Sequence, residues 1–284
     1  MKTKIILDTD IGDDVDDAFA LALAMRAPEC ELMGVTTAFH DTAARARIAC
    51  RLLSRGGCAD VPVAMGRKTG DDCREQKKWA EHYTEKQAIT PGAVDFILAQ
   101  CEAHPKEITL VTIGPLTNLS DLLEADPHIG RLLKGVVMMA GKVSAEEGQP
   151  LPIAEWNVKC DIGAAKRALE AGLNPVLVGL DVTMAMKVPP ICLKALRESN
   201  DPVARALEDL RELWGHGAPI LHDPLAVAHA VGHTFFGLEE RCIVVDDEGR
   251  TRCVNGKHNA KVALRPDPAG FMKYYFGTML GGVV

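Results

Sequence analysis

Carboxylates are concentrated near the start of the chain, where six of the ten residues 8–17 (DTDIGDDVDD) are aspartate. Two carboxylates about 4 Å apart repel each other strongly where little water screens them. A bound divalent cation would remove that repulsion, and a set of oxygen ligands favours Ca²⁺ or Mg²⁺ over Zn²⁺. The run therefore predicts a site for a hard divalent cation.

Two simpler interpretations of the acidic run are less favoured. Acidic runs are usually solvated surface or tail, but this run lies between two apolar segments, residues 5–7 (IIL) and 18–24 (AFALALA). An EF-hand loop would need a glutamate at its twelfth position, and Phe19 stands there when the count begins at Asp8. The flanks instead indicate a buried strand, an acidic turn and a helix.

Four further polar clusters follow predicted strands or precede predicted helices: TTAFHD (36–41), IGPLTN (113–118), EWN (155–157) and HDP (222–224). Each has a purely structural alternative. Asp223 before Pro224 and Asp161 before a helix are typical helix caps. Asp8 could have the purely structural role of accepting backbone hydrogen bonds within the acidic turn. A shared position at the carboxyl ends of parallel strands, where ligands bind in such sheets, favours a function.

The elements that must position these clusters alternate between strands and helices. The predicted strands are residues 4–7, 31–37, 61–65, 108–113, 135–139 and 175–180, and the predicted helices are 17–26, 42–53, 116–123 and 161–170. This alternation predicts an α/β fold with a mostly parallel central sheet and helices on both faces. A small late β-hairpin is expected within residues 239–264, helices outside the sheet within 189–219, and a loop or mobile helix over a site within 66–91.

Composition narrows the function classes. The chain has 284 residues, 47% of them hydrophobic, which suits a single domain spanning residues 1–284. A net charge of −7 argues against binding to nucleic acid or an anionic membrane, and no apolar stretch approaches the roughly 20 residues of a membrane span. Nine cysteines without a CxxC pair and the absence of a signal-like start predict reduced thiols and a cytoplasmic location.

Taken together, the motifs resemble those of the inosine-uridine-preferring nucleoside hydrolases. Their DxDxG…DDAxAL signature corresponds to DTDIG (8–12) and DDAFAL (16–21). The likeness continues in the same order through VTT (35–37), IGPLTN (113–118), VMMAG (137–141), EWN (155–157) and HDPLAVA (222–228). The resemblance implies a Rossmann-like nucleoside hydrolase fold and hydrolysis of the N-glycosidic bond of ribonucleosides.

Carried over position by position, the resemblance implies a Ca²⁺ ion held by four groups. These are the carboxylates of Asp10, Asp17 and Asp223 and the main-chain carbonyl of Ile113. The ion would also bind a water molecule and two ribose hydroxyls. Asp10 is then the expected general base for that water.

The resemblance also implies the residues that bind the substrate. Asp16, Glu155 and Asn157 are expected to hold the ribose hydroxyls. His222 is expected near the base, where it could assist departure of the leaving group. Trp156 or Trp79 could stack on the sugar or the base, although each could equally be structural.

Some positions depart from the family pattern. Asp13 and Asp14 are an insertion of two residues before the second half of the signature, which we align through Ala18. Asp41 stands where asparagine is common, and Gln149 occupies the spacing before Glu155 where asparagine is usual. We include Asp41 and Gln149 among the predicted substrate-binding residues.

Two other functions remain open from the sequence. A phosphohydrolase of the haloacid-dehalogenase type also begins with an apolar strand and DxD, and would use Asp8 as a nucleophile with Mg²⁺. A non-catalytic protein that binds a riboside or Ca²⁺ on the same scaffold is the second alternative. The family resemblance further implies a homo-oligomer, either a dimer or a tetramer.

Overall fold

A computed structural model describes residues 2–84, 89–145 and 148–281 of the chain. Ten strands are present in this part: β1 Thr3–Thr9, β2 Cys30–Thr37, β3 Val63–Met65, β4 Ile89–Pro91, β5 Ile108–Thr112, β6 Gly135–Met138, β7 Val176–Leu177, β8 Gly237–Val245, β9 Thr251–Val254 and β10 Ala260–Leu264.

The described residues also form twelve α-helices and one 3₁₀ turn, at Ile129–Arg131. The helices are α1 Asp16–Arg26, α2 Thr42–Arg55, α3 Lys77–Ala80, α4 Ala93–Ala103, α5 Thr117–Ala125, α6 Trp156–Cys160, α7 Ile162–Glu170, α8 Leu180–Thr183, α9 Pro190–Glu198, α10 Pro202–Trp214, α11 His222–Ala230 and α12 Pro268–Leu280.

The strands form one sheet in the order β4-β3-β2-β1-β5-β6-β7-β10-β8-β9. All neighbours are parallel up to the β7–β10 pair, and the last two pairs are antiparallel. In the register of the central strands, Asp8 of β1 lies beside Thr36 of β2 and Thr112 of β5. The carboxyl ends of β1, β2 and β5 are therefore level, and the polar residues that follow them share one edge.

The two faces of the sheet are covered by separate apolar cores. Ile5 and Leu7 pack into the core formed with α1, α2, α11 and α12, whereas Ile6 packs into the core formed with α4, α5 and α7. Successive side chains of a strand point to opposite faces, so a continuous apolar run is expected for a strand buried on both sides. The predicted α/β fold, with a mostly parallel sheet and helices on both faces, is confirmed.

The structure corrects several details of the prediction. The late hairpin of β8 and β9 is not a separate unit, because β10 pairs with both β8 and β7 and so extends the main sheet. The strand predicted at 175–180 is confined to β7, and α8 follows it directly. Helices α4 and α12 were not predicted.

The segment 66–91 is partly helical, since it contains α3 and ends in β4, while residues 85–88 of that prediction lie outside the described residues. The two helices α9 and α10 confirm the expectation for 189–219. Among the described residues, no helix combines the length and the apolar character needed to cross a membrane.

Candidate active site

A cleft opens at the edge of the sheet where the acidic turn leaves β1. It encloses about 620 Å³, part of it open to solvent. The lining residues come from the acidic turn, the ends of β5 and β6, and the starts of α6, α8 and α11: Asp10, Asp13, Asp14, Asp16, Asp17, Ile113, Met139, Ala154, Glu155, Trp156, Asn157, Leu180, His222 and Asp223. Eight of the ten residues predicted for the site are in this set.

Three carboxylates meet at this cleft. Asp16 and Asp17 begin α1, Asp223 lies in the first turn of α11, and their ligand atoms lie within 4.8 Å of one another. The main-chain N–H of Asp223 donates to Asp16 Oδ2 at 3.1 Å, and the Thr9 hydroxyl donates to Asp17 Oδ1. Asp223 is thus not a helix cap, because Leu221 is the N-cap of α11.

The electrostatics of this cluster fit a divalent cation. Burial, followed by the charges of neighbouring aspartates, raises the pKa of Asp16, Asp17 and Asp223 well above the usual range. Burial likewise raises the pKa of Asp10 to about 7. A cation bound among these oxygens would favour the charged carboxylates, because opposite charge lowers a carboxyl pKa. The three aspartates therefore have the chemistry of a Ca²⁺ or Mg²⁺ site.

Asp10 lies in the same cleft, but the three converging ligand atoms belong to Asp16, Asp17 and Asp223. The structure thus places Asp16, which we predicted to bind ribose, among the groups that could hold a metal. The backbone of Gly114 packs closely against Asp10, since a Cβ at Gly114 would lie 2.7 Å from Asp10 Oδ1. Glycine is required there because any larger residue would displace the carboxylate.

A buried arginine neutralises part of the acidic turn, and sequence reasoning missed it. Arg45 of α2 has no exposed surface, and its guanidinium donates to the carbonyls of Asp10 and Ile11, to Phe39 O at 2.7 Å and to Asp13 Oδ2 at 3.1 Å. Five N–H donors in a rigid fork suit this task. The signal was an arginine on the apolar face of a helix predicted to pack on the sheet.

The inserted pair Asp13 and Asp14 is divided between two environments. Asp13 is buried against Arg45, whereas Asp14 is exposed at the rim of the cleft. Gln76 donates from Nε2 to the carbonyls of both, at 3.3 and 2.9 Å. The segment that precedes α3 therefore braces the inserted residues from outside.

Glu155 and Asn157 are fixed at the start of α6. Glu155 is the N-cap, and its carboxylate accepts from the N–H groups of Gly141 at 3.0 Å, Asn157 at 2.8 Å and Val158 at 3.1 Å. Asn157 donates from Nδ2 to Ile113 O at 2.9 Å and to a second carbonyl, that of Met139. Because both partners are acceptors, its Oδ1 is the atom that remains for a ligand.

His222 lines the cleft, and its ring contacts the side chain of Thr183. Its Nδ1 lies 2.7 Å from the Thr183 hydroxyl, and burial lowers its pKa to about 4, so the ring is neutral near pH 7. The two tryptophans differ. Trp156 is 48% exposed at the cleft, whereas Trp79 is buried under the guanidinium of Arg51, outside the lining.

Two predicted substrate-binding residues are not in the lining. Asp41 is the N-cap of α2, where its carboxylate accepts from Ala44 N at 3.0 Å. Gln149 is exposed on the loop before α6. Asp8 is fully buried beneath the cleft, and its Oδ1 accepts from the Thr36 hydroxyl at 2.6 Å and from Asn118 Nδ2 at 2.7 Å.

Comparison with known proteins places this site in a family. A family model described as inosine-uridine preferring nucleoside hydrolase matches residues 5–273. A pyrimidine-specific ribonucleoside hydrolase, RihA, of Enterobacter sp. (strain 638) is 32% identical over an alignment of 275 positions, which covers 88% of this chain and 86% of that protein. A non-specific ribonucleoside hydrolase, RihC, of Salmonella agona (strain SL483) is 32% identical over an alignment of 302 positions, which covers 95% of this chain and 95% of that protein.

Solved structures agree in fold. A purine-preferring ribonucleoside hydrolase from Gardnerella vaginalis superposes with a TM-score of 0.83 at 25% identity, covering 99% of this chain and 100% of that one. The plant nucleoside hydrolase PpNRh1 superposes with a TM-score of 0.86 at 24% identity, covering 98% of this chain and 99% of that one. This second comparison shows similarity of the fold.

Proposed function

The chain belongs to the inosine-uridine preferring nucleoside hydrolase family and is an N-glycosyl hydrolase, and we propose that it carries out calcium-dependent hydrolysis of ribonucleosides. The products are ribose and a free nucleobase, as in nucleobase salvage. The observation that carries the proposal is the convergence of Asp16, Asp17 and Asp223 within 4.8 Å at the cleft.

The residues that would hold Ca²⁺ are Asp10, Asp17, Asp223 and the carbonyl of Ile113, with Asp16 beside them. Carboxylate and carbonyl oxygens are the ligands that Ca²⁺ prefers. When bound, a divalent cation lowers the pKa of a coordinated water and orients hydroxyl groups of a substrate.

The chain's own residues then divide the chemistry. Asp10, a carboxylate that lines the cleft, accepts the proton of the attacking water. Oδ1 of Asn157 and the carboxylate of Glu155 accept hydrogen bonds from ribose hydroxyls. The sugar develops positive charge as the glycosidic bond breaks, and the nearby carboxylates stabilise that charge. His222 contacts the departing base.

Location, assembly and domain organisation complete the proposal. None of the nine cysteines forms a disulfide bond in the described part of the chain, and five of them are buried, which supports a reducing compartment such as the cytoplasm. The continuous ten-stranded sheet supports a single domain over residues 1–284. We also propose a homo-oligomer, a dimer or a tetramer, on the basis of the family resemblance.

The phosphohydrolase alternative has little support. It needs Asp8 as a nucleophile, yet Asp8 is fully buried and its Oδ1 is occupied by Thr36 and Asn118. Membership of a hydrolase family likewise leaves the non-catalytic binding protein without support.

The direct test is release of reducing ribose from a panel of purine and pyrimidine ribonucleosides, before and after EDTA treatment and after Ca²⁺ is restored. We expect release that EDTA abolishes and Ca²⁺ recovers. Release that persists after complete metal removal would contradict the calcium requirement. No release from any nucleoside with Ca²⁺ present would contradict the proposed reaction itself.

A further inference from the structure

His222 has a side-chain partner that the proposed reaction does not yet use. Its Nδ1 lies 2.7 Å from the hydroxyl of Thr183, a fully buried residue at the end of α8. Resting on the proposed function, we infer that Thr183 is a positioning residue for departure of the nucleobase: its hydroxyl holds Nδ1 of His222 so that Nε2–H is presented to the base.

The backbone around both residues is tied together, so their separation is set by the fold. Thr183 N donates to Gly179 O at 3.1 Å, within the turn that follows β7. Leu221 N donates to Met186 O at 2.9 Å and Val188 N donates to Pro219 O at 3.0 Å. These bonds run between the chain after α8 and the chain before α11. These backbone hydrogen bonds therefore hold the Thr183 hydroxyl beside the His222 ring.

The chemistry of a neutral imidazole explains why this contact matters. In a neutral imidazole, one ring nitrogen carries the proton and the other accepts a hydrogen bond. The hydrogen-bond partner of Nδ1 therefore determines whether the proton is on Nδ1 or on Nε2. In the arrangement that we infer, the Thr183 hydroxyl donates to Nδ1, and the ring proton is then on Nε2. Since Nδ1 is occupied, Nε2 is the nitrogen that remains for a ligand in the cleft lined by His222.

A proton on Nε2 of His222 would stabilise the departing nucleobase. The bond between C1′ of ribose and the base nitrogen breaks with its electron pair going to the base, and the water oxygen bonds to C1′. The proton released by the water balances the proton taken up by the base. A hydrogen bond from Nε2–H stabilises the negative charge that develops on the base as the bond breaks. Without the Thr183 hydroxyl, the ring can also adopt the tautomer that presents a bare Nε2 acceptor.

The experiment compares Thr183→Val with Thr183→Ser on two substrates. One is a nucleoside from which the unaltered enzyme releases ribose, and the other is p-nitrophenyl β-ribofuranoside, whose leaving group is stable as an anion. For Thr183→Val we expect kcat on the nucleoside to fall about 10- to 100-fold with KM within about 2-fold. On the activated riboside kcat should stay within about 2-fold, and Thr183→Ser should restore nucleoside hydrolysis.

The matched control is Thr109→Val, which makes the same change at a buried position near the start of β5, away from the cleft. In a His222→Gln background, Thr183→Val should cause no further loss, because the residue acts through the histidine. Equal loss on both substrates would mean that Thr183 is only structural, and no loss on either would also overturn the inference.

A second measurement separates this inference from the proposed reaction. The ¹⁵N NMR shifts of the His222 ring report which nitrogen carries the proton, without any turnover. We expect the Nε2-protonated tautomer in the unaltered protein and a mixture in Thr183→Val. The same tautomer in both proteins would overturn the positioning role even if ribose is released. Absence of ribose release together with the expected tautomer change would contradict only the proposed reaction.

Discussion

Charged side chains are buried beside like charges at the cleft, whereas at the antiparallel edge of the sheet they form ion pairs near solvent. At the cleft, Asp16, Asp17 and Asp223 are buried together, and burial raises the pKa of each. At the edge, the half-buried Glu239 on β8 accepts from Arg265 and Arg241, which are both exposed, and the Arg265 contact lowers the pKa of Glu239.

The difference shows which charges are costly for the fold to hold. Exposed ion pairs contribute little, since water and salt screen them and long side chains lose freedom. Buried like charges without enough counter-charge are unfavourable, and they persist where a function needs them. Arg45 offsets only part of the charge in the acidic turn, so the cleft keeps the binding capacity for a cation.

The largest effects are expected from the carboxylates of the cleft. Asp223→Ala should reduce ribose release at least about 1,000-fold and also abolish Ca²⁺ binding in calorimetry, because it removes a carboxylate that we propose as a ligand of the ion and that converges with Asp16 and Asp17. Asp10→Ala should reduce turnover as much. Near-normal activity of Asp10→Ala with Ca²⁺ present would show that another group is the base.

The next largest effect concerns the internal counter-charge. Arg45→Met would leave the Asp13 carboxylate and three loop carbonyls without their donor, and should lower the free energy of unfolding by about 3–5 kcal/mol. Urea denaturation measures this. Arg47→Met, in the same helix but half-buried, is the control and should change stability by less than about 0.5 kcal/mol. Equal effects at both positions would remove the contrast between the two kinds of charge.

The cleft should also make the metal-free protein sensitive to pH. Asp8 and Asp10 titrate near 3.8 when unfolded, and burial raises their pKa to about 6 and about 7 in the fold. Between these values the folded state binds more protons, so stability falls as pH rises. We expect the Tm of EDTA-treated protein to fall from about pH 5 to about pH 8, and Ca²⁺ to restore it at the higher pH. A Tm that rises from about pH 5 to about pH 8 would contradict the raised pKa values of Asp8 and Asp10 in the folded protein.

The smallest effect is expected at the antiparallel edge. Lys166 Nζ lies 2.6 Å from Asp247 Oδ1, and Asp247 is almost wholly exposed. Lys166→Ala should therefore shift the Tm by less than about 1 °C and leave ribose release unchanged. A shift of several degrees in differential scanning calorimetry would show that exposed pairs contribute more here than the comparison implies.

Much of the site could be predicted because the relevant patterns are local. The acidic turn between two apolar runs predicted that Asp10, Asp16 and Asp17 lie together between the first strand and the first helix, and all three line the cleft. Asp161 was predicted as a helix cap, and it accepts from Ala164 N at 3.0 Å. Asp41, by contrast, was assigned to the substrate, and its carboxylate caps α2 outside the lining.

By itself, the sequence determined the α/β alternation, the acidic turn and the family to which the chain belongs, since these follow from short-range periodicity and motif spacing. Only the tertiary structure decided which charges meet. It added Asp16 to Asp17 and Asp223, which the resemblance had already assigned to one ion, and it brought Arg45 to Asp13. The reason is that burial and pairing depend on how α1, α2 and α11 pack on the sheet, and residue order alone does not specify those distances.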